Sequence, residues 1–179
     1  MPAALHIADY DPEWPGRAAA AIDALRSAAP GVFVEIEHIG STAVPGLAAK
    51  PVIDLMAAAR DIRHTRPHED ALAALGFRPH VNGMTDRLLY VRAPDGVRTH
   101  ILHVVSWQSW PHRNQRLLRD YLRAHPRDAA RYAELKRAVV AAGTAAGAYA
   151  RAKTELVQEL TDRARAERGL PAEPVWEKG

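Results

Sequence analysis

Apolar positions in the first two thirds of this chain follow two periods, and the change between them predicts the elements. Between Ala18 and Ala29 they recur at helical spacing, with Ile22 and Leu25 turned toward a core. Asp11-Pro12-Glu13-Trp14-Pro15 reads as the turn that starts this helix, and Pro30-Gly31 ends it. From Val32 to Ile39 the period drops to two. Val32, Val34, Ile36 and His38 share one strand face, and Phe33, Glu35, Glu37 and Ile39 share the other. A Gly-Ser corner follows, then an irregular segment broken by Pro45-Gly46. Val52 to Ala57 is a nearly continuous apolar run, as in a strand buried on both faces, and Asp54 interrupts it.

Beyond this run the pattern predicts a helix over Glu69 to Leu75, closed by Gly76, and strands over Phe77 to Val81 and Arg87 to Arg92. Ala93-Pro94-Asp95-Gly96 is a turn, and Val97 to Val105 returns as a strand. From Pro111 onward the pattern is helical: Pro111 to His125, Pro126 to about Ala142, and about Ala145 to Arg168, the last with Leu156, Val157 and Leu160 at helical spacing. No repeat or Pro/Gly/Ser-rich linker divides the chain. The reading is one α+β domain over residues 1–168 with a helical C-terminal half, followed by an extended tail over 169–179.

Composition narrows the function classes. The chain has 179 residues, 47% hydrophobic and 25% charged, enough for one sizeable core. No apolar run approaches the roughly 20 residues of a membrane span. Met1-Pro2-Ala3-Ala4-Leu5-His6 does not read as a signal peptide, so a cytoplasmic protein is expected. With no cysteine, disulfides and thiolate metal sites are excluded. The net charge is +3, and the basic residues are mostly Arg; the lysines are Lys50, Lys136, Lys153 and Lys178. Arg forks suit phosphate and carboxylate, but codon bias explains Arg abundance equally well. Without a basic tail or a nucleic-acid module, bulk nucleic-acid binding is not expected.

The chemistry concentrates in His38-Ile39-Gly40-Ser41-Thr42-Ala43-Val44-Pro45-Gly46 and the run through Lys50 and Asp54. Gly40 lets backbone approach a phosphate, and the Ser41 hydroxyl can bind its oxygens. Asp54, on the next strand, offers a hard oxygen ligand to a divalent cation. The alternative is a turn cap at Ser41 and an ion pair of Asp54 with Lys50 or an arginine. The stretches EHIGSTAVPGLAAKPVIDLM, RTHILHVV and LRDYLRAHPRDAARYAELKRAV, with a weaker YARAKTELV, resemble the GrpB family from about Ile7 to Arg165.

That resemblance implies a minimal nucleotidyltransferase-like mixed sheet, in a family whose domain is sometimes fused to dephospho-CoA kinase. It implies transfer of a nucleoside monophosphate from an NTP, ATP first, to a small acceptor with Mg²⁺. Asp54 would be metal ligand and catalytic carboxylate, and Gly40, Ser41 and Lys50 would hold phosphate. The superfamily usually sets a second carboxylate two positions after the first; here that position is Met56. The alternative is therefore a non-catalytic nucleotide- or phospholigand-binding domain, acting alone or beside a partner protein.

Strand alternation adds expectations of its own. Arg98 and His100 should enter the Asp54 cleft together, Arg98 as a phosphate clamp and His100 as a catalytic group, while His103 points to the other face. His38 is a further pocket candidate. In the helical half, Arg119 and Arg123 lie on one helix face beside Asp120 and Tyr121, and Tyr149 with Lys153 repeats the spacing. Arg127, Arg131 and Glu134 read as surface ion pairs, and Trp107 and Trp110 as packing at the strand-to-helix junction.

Overall fold

The computed structural model describes residues 6–143 and 153–175. The start of the third predicted helix (145–152), with Tyr149, and the end of the tail (176–179) lie outside the described residues. Helix α1 (Trp14–Ala28) starts earlier than predicted because Pro15 fits a first turn, where its missing N–H is no loss. Five strands follow: β1 (Phe33–Ile39), β2 (Ile53–Ala59), β3 (Phe77–Pro79), β4 (Arg87–Arg92) and β5 (His100–Ser106), with α2 (Glu69–Ala74) before β3. They form one sheet in the order β1-β2-β5-β4-β3, with β2 and β5 parallel and every other pair antiparallel. Helices α3 (Asn114–Ala124), α4 (Pro126–Ala141) and α5 (Thr154–Glu167) complete the α+β architecture that the sequence predicts.

Both faces of the sheet are covered. On one, Ile36, Ile53, Leu55, Ala57, Leu102 and Val104 pack against Trp14, Ala18, Ala21 and Leu25 of α1 and Leu72 of α2. On the other, Ile39, Met56, Ala58 and Val105 meet Trp110. This explains why β2 reads as continuous apolar sequence. It also corrects the simple alternation predicted for β1: the register shifts between Phe33 and Glu35, so Phe33 joins Ile36 in the α1-side core instead of opposing it. The predicted Pro111–His125 helix is divided. Trp107–His112 is a 3-10 turn, with Pro111 inside it, and α3 begins at Asn114. A further 3-10 turn, Ile62–His68, has Ile62 as its single apolar residue besides Pro67, so no periodicity marks it in the sequence.

Two contacts fix the helical half against the sheet. Glu37 of β1 accepts hydrogen bonds from Arg116 Nε at 3.0 Å and Nη2 at 2.9 Å, and from Arg119 Nη1 at 2.6 Å. Val44, Leu47 and Ala48, from the loop after the Gly-Ser corner, are buried among Leu117, Tyr121, Tyr132, Ala133 and Leu160. The loop between β1 and β2 is thereby clamped under α3, α4 and α5. Residues 170–175 run back along α5, where Val175 N donates to Gln158 Oε1 at 2.9 Å.

Candidate functional site

Strand pairing builds the site. Ile39, the last residue of β1, lies opposite Asp54 in the antiparallel ladder, so the chain turns out of the sheet directly above the Asp54 side chain. Gly40 makes that turn at φ 75° and ψ −174°, a region only glycine occupies readily. A Cβ there would stand 2.7 Å from Asp54 Oδ2 and 3.1 Å from Asp54 Cβ. Glycine thus meets two requirements at once, a backbone angle and a close approach to the carboxylate. Ser41 then opens the 3-10 turn Ser41–Ala43.

The corner borders a cavity of about 170 Å³ lined by Ser41, Lys50, Asp54, Arg98, Lys136 and Lys153, with Thr42, Ala49, Val52 and Ile101. Lys136 is 2% exposed. From α4 its Nζ donates to Ser41 Oγ at 2.9 Å and to the Ala48 carbonyl at 2.5 Å, and it lies 4.4 Å from the centre of the Tyr132 ring. Lys153 Nζ donates to the same tyrosine's hydroxyl at 3.2 Å.

Burial dominates the titration of this group. It pushes the Asp54 carboxyl up to about 6, although Lys153, Lys50 and Arg98 pull it down. It lowers the Lys136 ammonium to about 7, with Lys153 and Arg137 adding repulsion. Lys50 is lowered as well, first by burial and then by Lys153. Lys153, Lys50 and the Arg98 guanidinium therefore act on one carboxylate, and Lys136 joins the same cavity at Ser41. The arrangement is built to attract an anion.

The donor set does not fit a resident divalent cation. Mg²⁺ needs a near-octahedral shell of hard oxygens. Among the described residues, Asp54 is the one carboxylate lining the cavity. Met56, at the position of the second acid, is fully buried in the core, and Ile101 faces Asp54 from β5. Among the described residues no cluster of three acidic, histidine or cysteine side chains forms.

Among the sequence candidates, Ser41, Lys50, Asp54 and Arg98 meet at one cavity, with Gly40 packed over Asp54. His100 does not join them. β5 starts only at His100, so residues 97–99 lie outside the ladder and alternation does not link Arg98 to His100. In the parallel register Ile101 pairs with Asp54 and His100 with Ile53. His100 therefore faces α1, stacks edge-on against Phe77, and lines a separate groove with Arg17 and Arg92. His103 takes the Asp54 face, reversing the expectation, but pairs with Met56 and keeps a buried Nδ1 without a hydrogen bond. His38 pairs with Leu55 on the α1 side and bonds Thr42 Oγ1 at 2.8 Å. Arg119 and Arg123 are structural in their contacts: Arg119 binds Glu37 and the His38 carbonyl, and Arg123 Nε donates to the Ala43 carbonyl at 2.9 Å. Tyr121 donates to Asp128 Oδ2 at 2.6 Å.

Lys136 is the residue that sequence reasoning missed. The signal lay in its rarity: in a chain whose cations are almost all arginine, three of four lysines converge on one cavity.

No helix among the described residues is long and apolar enough to cross a membrane. The family model of the GrpB protein matches residues 4–163. The crystal structure of the conserved protein GrpB from Enterococcus faecalis superposes with a TM-score of 0.84 at 25% identity, over 92% of this chain and 99% of that one. The UPF0157 protein PA4798 of Pseudomonas aeruginosa is 38% identical over 165 residues, 89% of this chain and 67% of the relative. The UPF0157 protein SCO7215 of Streptomyces coelicolor is 37% identical over 174 residues, 93% and 89% of the respective chains. A match to the family model over most of the length, with these relatives, leads to one conclusion: the chain belongs to the GrpB family.

Proposed function

We propose that this protein binds the phosphate end of a small molecule, a nucleotide such as ATP foremost, in the cavity between the Gly-Ser corner and Asp54. The observation that carries this reading is the convergence of Lys50, Lys136 and Lys153 with Arg98 and the Ser41 hydroxyl around a single carboxylate. Ammonium groups bind phosphate as point charges and guanidinium binds it as a fork. The cavity size suits a phosphate or diphosphate group, with sugar and base left outside. A cytoplasmic location, where such ligands abound, goes with this reading.

The experiment is calorimetric titration of inorganic phosphate and of ATP in the presence of EDTA, for wild type and Lys50→Met. A charged hydrogen-bonding contact contributes roughly 1.5–3 kcal/mol, so the variant should bind about 10- to 100-fold more weakly. Equal affinity in both proteins, or no binding by the wild type, overturns the proposal.

Nucleotidyl transfer to a small acceptor with Mg²⁺ is the second reading. It is favoured by the close packing of the Gly-Ser corner over Asp54. The lone carboxylate among cations weighs against it. Release of pyrophosphate from ATP that depends on Mg²⁺ and is abolished by Asp54→Asn would move the balance to it.

A further inference from the structure

Binding does not account for the pairing of Ser41 with a lysine that the fold has desolvated. We propose that Ser41 is a nucleophile, with Lys136 as its general base, and that it accepts a phosphoryl group from a small phosphoanhydride or acyl phosphate. The proposal rests on the phosphate-binding reading of the same cavity and adds a reaction to it.

Three features support it. First, the serine stands on a sharp corner: β1 ends at Ile39, Gly40 takes an angle closed to other residues, and Ser41 lines the cavity. Second, nucleophile and base are within hydrogen-bond reach, Lys136 Nζ lying 2.9 Å from Ser41 Oγ across 95 residues of sequence. Third, the base is oriented. The Ala48 carbonyl can only accept, so it fixes one Lys136 N–H at 2.5 Å, and the Tyr132 ring flanks the amine. Lys136 needs no charge to keep this geometry, since an amine still donates to Ala48 and can accept from the Ser41 hydroxyl.

The charged and titratable groups around Lys136 are Lys153 at the start of α5, Arg137 and Tyr132 on α4, and Lys50, Asp54 and Arg98 across the cavity. Burial and the neighbouring cations bring its titration near neutrality, where amine and ammonium are both populated.

The step balances without a further reagent. Ser41 Oγ attacks phosphorus; the Oγ–P bond forms and the P–O bond to the leaving carboxylate or phosphate breaks. The hydroxyl proton passes to Lys136 Nζ. Lys50, Lys153 and Arg98 offset the charge that gathers on the phosphoryl oxygens. The leaving group departs as an anion and needs no proton. Once Lys136 has returned its proton to solvent, water attacks the phosphoserine, Lys136 takes a proton from the water, and Ser41 Oγ leaves and recovers it. The net reaction is hydrolysis of the anhydride.

The test mixes excess protein with acetyl phosphate, quenches in acid and locates phosphate by peptide mass. Inorganic phosphate binding is measured on the same samples. The expected result is phosphoserine at Ser41, absent in Ser41→Ala. Below saturation, where the rate reports the free protein, its formation should accelerate from mildly acid to alkaline pH with a midpoint near neutrality. It should be roughly hundredfold slower in Lys136→Arg, which keeps the charge but cannot act as a base. A wild type that binds phosphate yet forms no phosphoserine at Ser41 overturns the nucleophile and leaves the binding reading standing. Phosphoserine without phosphate binding overturns the binding reading instead. An undiminished rate in a folded Lys136→Arg excludes Lys136 as the base. Should that variant fail to fold, a flat pH profile in the wild type excludes it equally.

Discussion

Gly40→Ala tests the geometry on which the site is built. Two costs add. An alanine forced to φ 75° and ψ −174° occupies a region essentially reserved for glycine, at about 1–3 kcal/mol. Its Cβ would also stand 2.7 Å from Asp54 Oδ2, closer than real contacts allow, and 3.1 Å from Asp54 Cβ, a tight contact, and relieving such overpacking costs about 1–3 kcal/mol more. The total is about 4 kcal/mol, or roughly 8–16 °C in melting temperature for a chain of this length. Urea and thermal denaturation measure it. A second background separates the two parts. In Asp54→Gly both overlaps disappear while the backbone angle remains, so Gly40→Ala should then cost only about 1–3 kcal/mol. If Gly40→Ala melts within a degree or two of wild type, the corner is not as described. If its cost is the same in both backgrounds, the close approach to Asp54 is refuted and only the backbone angle matters.

Other outcomes follow from the contacts already given. Glu37→Ala should destabilise by about 1.5–3 kcal/mol in urea denaturation, the range for losing charge-assisted hydrogen bonds, because it removes the acceptor shared by Arg116 and Arg119, although Arg119 keeps Asp120 at 2.8 Å and the His38 carbonyl; an effect under about 0.5 kcal/mol would remove the pair from the account. His100→Ala should lower the melting temperature and leave phosphate affinity unchanged, since His100 faces α1; weakened phosphate binding would return it to the cavity. For pH, burial raises Asp54 in the folded state from 3.8 to about 6, so the folded protein holds a proton there that the unfolded chain releases, and this component of stability falls as pH rises from about 4 to 6. Asp54→Asn should therefore gain stability relative to wild type across that window, and a difference independent of pH contradicts it. His38 and His100, lowered to about 4 by burial first, act oppositely: their component is lost as pH falls from 6.5 toward 4. Replacing both with Gln should flatten the acid limb of the wild-type melting profile, and an unchanged limb excludes them.

Much of this fold can be read locally. The helices announce themselves by period and by Pro15 and Pro126 in first turns, and β2 by its unbroken apolar run. What the sequence could not show is set by partners distant in the chain. The register shift at Phe33 depends on how β1 meets β2, so alternation alone puts Phe33 on the wrong face. The start of β5 at His100 depends on where the parallel pairing with β2 begins, and that choice decides which histidine takes the Asp54 face of the sheet. For the site, Gly40, Ser41, Lys50 and Asp54 lie within 15 residues and form one recognisable motif. Lys136 and Lys153 come from helices whose packing on the Val44–Ala48 loop has no local signature; helical spacing with Tyr149 marks Lys153, and only the scarcity of lysine points to Lys136.

The most direct test of the central claim is the titration of the lysine side chains, followed by nitrogen NMR on protein labelled at lysine, with and without inorganic phosphate. In the free protein Lys136 should titrate near 7, well below an ordinary lysine. A phosphate bound among Lys50, Lys136 and Lys153 stabilises the charged forms, so the midpoint of Lys136 should move upward and the signals of all three lysines should shift together and saturate. Lysine titrations that stay where they were at saturating phosphate would contradict the account.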